Sequence, residues 1–173
     1  MDKTTVLESS RLRIRFAGPE DIAYVLALEH HPANRDFVWQ GTAEQHQQAI
    51  DQPDYALMIV ERTSDEQAIG YCLCWLNRTF HWLELRRLVI SQKGQGYGQE
   101  TILCLFEYFF DTLGVNKIWL DVYPHNQVGI HLYEKLGMHR DGRLRQNYYS
   151  DETGYLDQVV YSILRTEYAA QKR

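Results

Sequence analysis

The segment best equipped for chemistry is Leu88-Val89-Ile90, then residues 91–93, then Gly94-Gln95-Gly96-Tyr97-Gly98, with a long amphipathic run behind it. An apolar strand, a turn with three alternating glycines and a helix start bring free backbone N–H groups to the positive end of that helix. Glycine lets such a backbone curl and approach a ligand closely, as an anion cradle requires. A tight ligand-free connection would use glycine too, but three in five residues without proline or aspartate favour the cradle. The dinucleotide fingerprint G-x-G-x-x-G needs a glycine three beyond Gly96, where Gln99 stands. A P-loop ends in Gly-Lys-Ser/Thr, whereas Gly98 is followed by Gln99-Glu100. Both nucleotide readings lack their diagnostic position, so what remains is a phosphate cradle of unassigned purpose.

The elements that must hold this turn follow from periodicity. Leu12, Ile14 and Phe16 alternate with Arg11, Arg13 and Arg15, which predicts a half-buried strand. Gly18-Pro19-Glu20-Asp21 opens a helix carrying Ile22, Val25, Leu26 and Leu28, and residues 42–51 predict a second, polar helix. Residues 55–60, 69–76 and 82–90 read as a three-strand meander. After the glycines, Ile102, Leu103, Leu105, Phe106, Phe109, Phe110 and Leu113 form one broad helical stripe that Gly114 closes. A strand over 115–122, a helix over 126–136 ended by Gly137, and two strands at 148–149 and 159–164 around a hairpin at 150–154 complete the chain. The order β-α-α-β-β-β-α-β-α-β-β predicts an α/β (α+β) fold: about seven strands in a mixed, mostly antiparallel sheet flanked by about four helices.

Composition narrows the function classes. The chain has 173 residues, which favours one domain over residues 1–173. Apolar residues make up 45% and charged residues 24%, a globular balance. Eighteen basic against 23 acidic residues, net −5, leave no electrostatic footprint for nucleic acid. No apolar run approaches the ~20 residues that span a bilayer, so no membrane partner is expected. The polar N-terminus lacks a signal-peptide stretch, and a cytoplasmic location is expected. Cys72, Cys74 and Cys104 are odd in number and form no C-x-x-C, so buried small hydrophobes are expected rather than a disulfide or a metal site.

Lys93-Gly94-Gln95-Gly96-Tyr97-Gly98 resembles the Arg/Gln-x-x-Gly-x-Gly/Ala pyrophosphate loop of the GCN5-related N-acetyltransferases. Residues 126–138, Asn-Gln-Val-Gly-Ile-His-Leu-Tyr-Glu-Lys-Leu-Gly-Met, resemble the family's Asn-x-x-Ala-Ile-x-Leu-Tyr-x-x-x-Gly-Phe helix. The resemblance is specific over residues 84–145 and is greatest to the ribosomal-protein N-terminal acetyltransferase branch and its small-molecule relatives. Lys93 keeps the charge of the usual arginine without its planar fork, Gly129 replaces alanine and Met138 replaces phenylalanine.

The resemblance implies one N-acetyltransferase domain that moves acetyl from acetyl-CoA to a primary amine, a protein N-terminus or a small molecule, by direct attack in a ternary complex. It implies that Lys93 and the backbone of Gln95, Gly96, Tyr97, Gly98 and Gln99 hold the pyrophosphate. Leu88, Val89 and Ile90 would pair with the pantetheine arm like another strand, Val89 pointing an amide at the thioester oxygen. Tyr133 is the implied general acid at the sulfur, and Asn126 a contact to CoA as well as a helix cap. Glu84, alternating with Leu83 and Leu85, is the implied base; an exposed glutamate paired with Arg86 or Arg87 is the plainer alternative. Asp121, on the following strand, is a second choice for holding the amine. A CoA-binding sensor or tether without catalysis is the competing function, and a homodimer stays open.

Overall fold

Alternating burial lays down the first strands: Leu12 and Ile14 are fully buried while Arg13 between them faces solvent. The computed structural model describes residues 1–4, 6–150 and 153–172, the side chain of Ser150 excepted. Eight strands, β1 (Val6–Glu8), β2 (Leu12–Phe16), β3 (Tyr55–Arg62), β4 (Gln67–Asn77), β5 (Trp82–Ile90), β6 (Lys117–Val122), β7 (His139–Ser150) and β8 (Gly154–Leu164), make one sheet. Their spatial order is β1-β2-β3-β4-β5-β6-β8-β7. Neighbours are antiparallel except β5 and β6, which run parallel with helix α3 (Tyr97–Phe106) crossing between them.

Helices cover both faces. On one side α1 (Ile22–His30) and α2 (Ala43–Asp51) bury Val25, Leu28 and Ala49 against Leu57, Ile59, Tyr71, Leu73 and Val89. Helix α2 starts at a reciprocal cap: Thr42 Oγ1 accepts from the Gln45 N–H at 3.3 Å, and Gln45 Oε1 accepts from the Thr42 N–H at 2.9 Å. On the other side Ile102, Leu105, Phe106, Phe109 and Phe110 fill the larger core, joined by Leu136 behind α4 (Gln127–Lys135) and Tyr168 of α5 (Arg165–Gln171).

The mixed sheet with flanking helices agrees with the sequence expectation, and four details differ from it. Strand β1 has three residues, too few to show a period, and the polar α5 has little stripe to read. The stripe after the glycines is α-helical only to Phe106 and then widens to a π turn over Glu107–Thr112, before Gly114 with φ +68° turns the chain. Strand β7 begins at His139 rather than near 148, because its run His-Arg-Asp-Gly-Arg-Leu-Arg is exposed on the sheet edge and carries no alternation. Its pairing with β8 closes at Ser150 opposite Gly154, as the expected hairpin requires; residues 151 and 152 of the turn lie outside the described residues.

Candidate active site

A one-residue slip in β5 shapes the centre of the sheet. Leu83 and Leu85 point into the larger core, yet so do Leu88 and Ile90, while Val89 points to the opposite face. The pairing explains the change of parity: Leu85 lies opposite Cys74 and Arg87 opposite Leu73, so Arg86 is an extra residue, a β-bulge. The parallel pairing of β5 with β6 covers Trp82 to Glu84 against Lys117 to Trp119 and goes no further. Past Glu84 the two strands diverge. A cavity of about 80 Å³ lies in the fork, lined among others by Leu85, Leu88, Asp121, Tyr123, Asn126 and Tyr133. The β6-facing edge of residues 85–90 is thereby left without a strand partner, an open template for an extended ligand.

The glycine turn sits at the outer end of this edge. Gly94 and Gly96 have φ of +75° and +80°, left-handed conformations that favour glycine. Gly96 is the N-cap of α3 and no side chain caps that helix start, so the leading amides of Tyr97, Gly98 and Gln99 are left for a ligand. Glu100, the acid of the first turn, is drawn away by Ser9 and Arg11: the Ser9 hydroxyl donates to it at 2.6 Å and Arg11 Nε at 2.7 Å. Arg11 also donates to the Gln95 carbonyl at 3.0 Å and lies 4.8 Å above the Tyr97 ring. A residue far upstream thus braces the loop, and only its register beside the turn shows why.

Leu88, Ile90, Lys93, Gly96, Tyr97, Gly98, Gln99, Asn126 and Tyr133 line one cavity of about 360 Å³. Leu88, Val89, Lys93 and Asn126 line an adjoining one of the same volume. Of the expected cradle residues, Gln95 alone lines neither; its carbonyl faces Arg11. Asn126 caps α4 through its Oδ1, which accepts from the Gly129 N–H at 3.0 Å. A Cβ on residue 129 would stand 3.0 Å from the Asn126 amide, which accounts for glycine at that helix position.

Tyr133 lines both the fork and the larger cavity; burial, with the charge of Asp121 adding to it, pushes its phenol up to about 12. Asp121 lines the fork, where Gln158 donates to its Oδ1; burial raises this carboxyl above its ordinary value against the opposing pull of Arg86. Glu84 does not line the fork. It is buried beneath it, 3.3 Å from Arg86 Nε, and raised chiefly by burial, with Arg86 opposing and Asp121 adding. For an acid whose folded pKa is raised, ionisation costs the folded state stability at pH above that value, and protonation removes the cost. Glu84→Gln is therefore expected to stabilise the fold at pH 7. The gain should vanish below about pH 4.5, as urea midpoints at the two pH values would show.

Sequence reasoning missed the fork's other wall. Phe37 and Trp39 belong to the loop between α1 and α2, and Arg87 lies under the Trp39 ring at 4.3 Å. Two large aromatics at 46% and 44% exposure in a polar loop were the available signal. Among the described residues no cluster of His, Cys, Asp or Glu could hold a metal ion, and no helix is long and apolar enough to cross a membrane.

An unpaired strand edge, an uncapped helix start behind left-handed glycines and a tyrosine at the fork follow one another along adjoining cavities. A family model described as an acetyltransferase (GNAT) domain matches residues 11–139. The chain belongs to this family and is an acetyl-CoA-dependent N-acetyltransferase. It is 26% identical over 180 residues to the SPbeta prophage-derived uncharacterized N-acetyltransferase YokL of Bacillus subtilis, covering 95% of this chain and 96% of that protein. It is 33% identical over 76 residues to the uncharacterized N-acetyltransferase p20 of Bacillus licheniformis, covering 44% of this chain and 42% of that protein. In fold it is similar to a spermidine N-acetyltransferase from Vibrio cholerae solved in complex with CoA and spermine, with a TM-score of 0.81. The two share 22% identity, and the likeness covers 93% of this chain and 99% of that one.

Proposed function

We propose that residues 1–173 form one N-acetyltransferase domain that acetylates a primary amine by direct attack within a ternary complex. The acceptors in view are a protein N-terminus, after the resemblance of residues 126–138 to the ribosomal-protein branch, and a small-molecule amine. The observation that carries this reading is the continuity of the site: cradle, open strand edge and fork follow one another along β5 and α3. Acetyl-CoA supplies the activated acetyl group as a thioester.

The chain's own residues divide the remaining work. Lys93 and the amides at the start of α3 hold the pyrophosphate, and the edge of Leu88, Val89 and Ile90 orients the pantetheine arm, the Val89 amide toward the thioester oxygen. The acceptor ammonium must lose a proton before its nitrogen can attack, and Asp121 at the fork, with Glu84 behind it, receives that charge. Burial raises both carboxyls, which brings them nearer to an amine in basicity. The attacking nitrogen forms its bond to the acyl carbon as the carbon–sulfur bond breaks; Tyr133 gives its proton to the departing sulfur and is reprotonated by the second proton, which the acylated nitrogen sheds. Burial keeps that phenol protonated at neutral pH; transfer of its proton to the thiolate runs uphill, a cost that close placement at the sulfur must offset.

Acetyl-CoA is expected to raise the unfolding midpoint of the wild type and of Tyr133→Phe equally, while the variant's kcat falls about a hundredfold. A wild-type midpoint indifferent to saturating acetyl-CoA would overturn the cradle. A variant with unchanged kcat would remove Tyr133 from the chemistry.

A further inference from the structure

Beside the fork opens a second cavity of about 760 Å³, large enough for a whole acceptor, and its walls are rings. Phe37, Trp39, Tyr123, His125, Tyr148 and Tyr149 contribute to it. Four of them form a continuous aromatic wall. Tyr123 stacks on His125 with centroids 5.5 Å apart and planes 5° apart, and meets Tyr148 edge-on at 5.3 Å. Phe37 closes on His125 from the other side at 5.5 Å. The loop is pinned there, since His125 Nε2 donates to the Asp36 carbonyl at 3.0 Å. Phe37, Trp39 and Tyr123 line this cavity and the fork alike, so the two spaces share a wall.

Among the described residues, four carboxylates along this path face three arginines. Among the described residues lining the large cavity the carboxylate is that of Asp36, and Arg35 lies 3.6 Å from it. At the fork Asp121 and the buried Glu84 face Arg86, and Arg87 is matched by Glu29. One ammonium finds a carboxylate at Asp121; among the described residues, a second or third, strung along a polyamine, would find rings and arginines and the carboxylate of Asp36 that Arg35 already faces.

We propose that the acceptor is a monoamine bearing a flat apolar body. Its ammonium is received at Asp121, and an aryl group on a short alkyl chain lies between Trp39 and the wall of Tyr123 and Tyr148. The proposal rests on the acetyltransferase reading and names the acceptor class for the same site. Offset or edge-on ring contacts supply the selectivity, and the wall costs little ordering because its rings already hold one another.

The test compares thiol release from acetyl-CoA by the full chain with tryptamine, 2-phenylethylamine, propylamine and spermidine as acceptors. The two aryl amines are expected to give kcat/KM at least about tenfold above propylamine and spermidine, the worth of one well-placed ring contact. Tyr148→Ala is expected to raise the KM for tryptamine about tenfold without moving the KM for acetyl-CoA, and Tyr148→Phe to restore it. Trp39→Ala, in a separate element, should act in the same direction. Preference for spermidine or propylamine, or an unmoved tryptamine KM in both alanine variants, overturns the proposal while thermal protection by acetyl-CoA keeps the acetyltransferase reading intact. Absence of both protection and turnover overturns the two together.

Discussion

Gly96→Val is expected to abolish stabilisation by acetyl-CoA while leaving the fold in place. Residue 96 sits at φ +80° and ψ 0° on the exposed turn, where an L side chain costs about 1 to 2 kcal/mol and a β-branched one more. Space is not the obstacle, since a Cβ there would meet Arg11 no closer than 3.5 Å. The chain can therefore keep the conformation and bear the strain, or relax to negative φ and swing the following amides off the ligand. Relaxation costs the fold little, because the turn is exposed, but it dismantles the anion site. Wild type at a hundred times Kd gains about 2.7 kcal/mol from a bound ligand, and Gly96→Val should show none of it, with kcat/KM down more than about a hundredfold.

Gly98→Ala separates conformation from room. Residue 98 lies in the first turn of α3 outside the left-handed region, and its Cβ would rest 3.6 Å from Leu132, an ordinary contact. The substitution should keep the fold and weaken acetyl-CoA binding by no more than about tenfold, since alanine is the better helix former and intrudes by one methyl. Thermal shifts of the two variants with and without acetyl-CoA decide the matter. A full ligand-induced shift in Gly96→Val would mean that the left-handed turn does not hold the pyrophosphate.

The contrast between these two glycines shows what the sequence made legible. Strand, glycine turn, helix start and the Asn126 cap are local features, set by residues within a few positions of one another, and they lie where periodicity and spacing predicted. The fork was hidden because it arises from a parity change that Arg86 and Arg87 mask. Leu83 and Leu85 suggest one face, Leu88 and Ile90 the other, and only pairing with Leu73 and Cys74 shows that Arg86 is the surplus residue. Glu84, at the last paired position of β5 and β6, does not line the cavity, whereas Asp121 on the next strand does. Residues 139–147 of β7 escaped notice because an exposed edge needs no apolar face. Phe37 and Trp39 were aromatic residues in a polar loop whose purpose depends on distant partners, His125 beside Phe37 and Arg87 beneath Trp39.

That arginine leads to the one carboxylate whose burial nothing local announces. Glu29, on α1, is fully buried and gathers donors from four distant places: the Tyr71 hydroxyl, the Gly41 N–H at 2.8 Å, His46 Nε2 at 3.2 Å and Arg87 Nη1 at 3.2 Å. Burial alone would raise its pKa, but the hydrogen bonds from His46, Tyr71 and Gly41 and the charge of Arg87 together hold it below the ordinary carboxylate range. Glu29→Gln leaves Arg87 buried without a counter-charge and should cost about 3 to 5 kcal/mol, lowering the melting midpoint by roughly 10 °C for a chain of this size. Because the folded pKa is the lower one, the ionised carboxylate stabilises the protein above about pH 4.5, and that contribution fades as pH falls toward the folded value. The gap between wild type and Glu29→Gln should accordingly be full at pH 7 and narrow below pH 4.5, opposite in direction to Glu84→Gln. Adding Arg87→Met to Glu29→Gln removes the stranded charge and should recover part of the loss, since the two residues share one network. A cost under about 1 kcal/mol for Glu29→Gln, or a gap independent of pH, would show that the buried carboxylate does not hold the loop carrying Phe37 and Trp39 against the sheet.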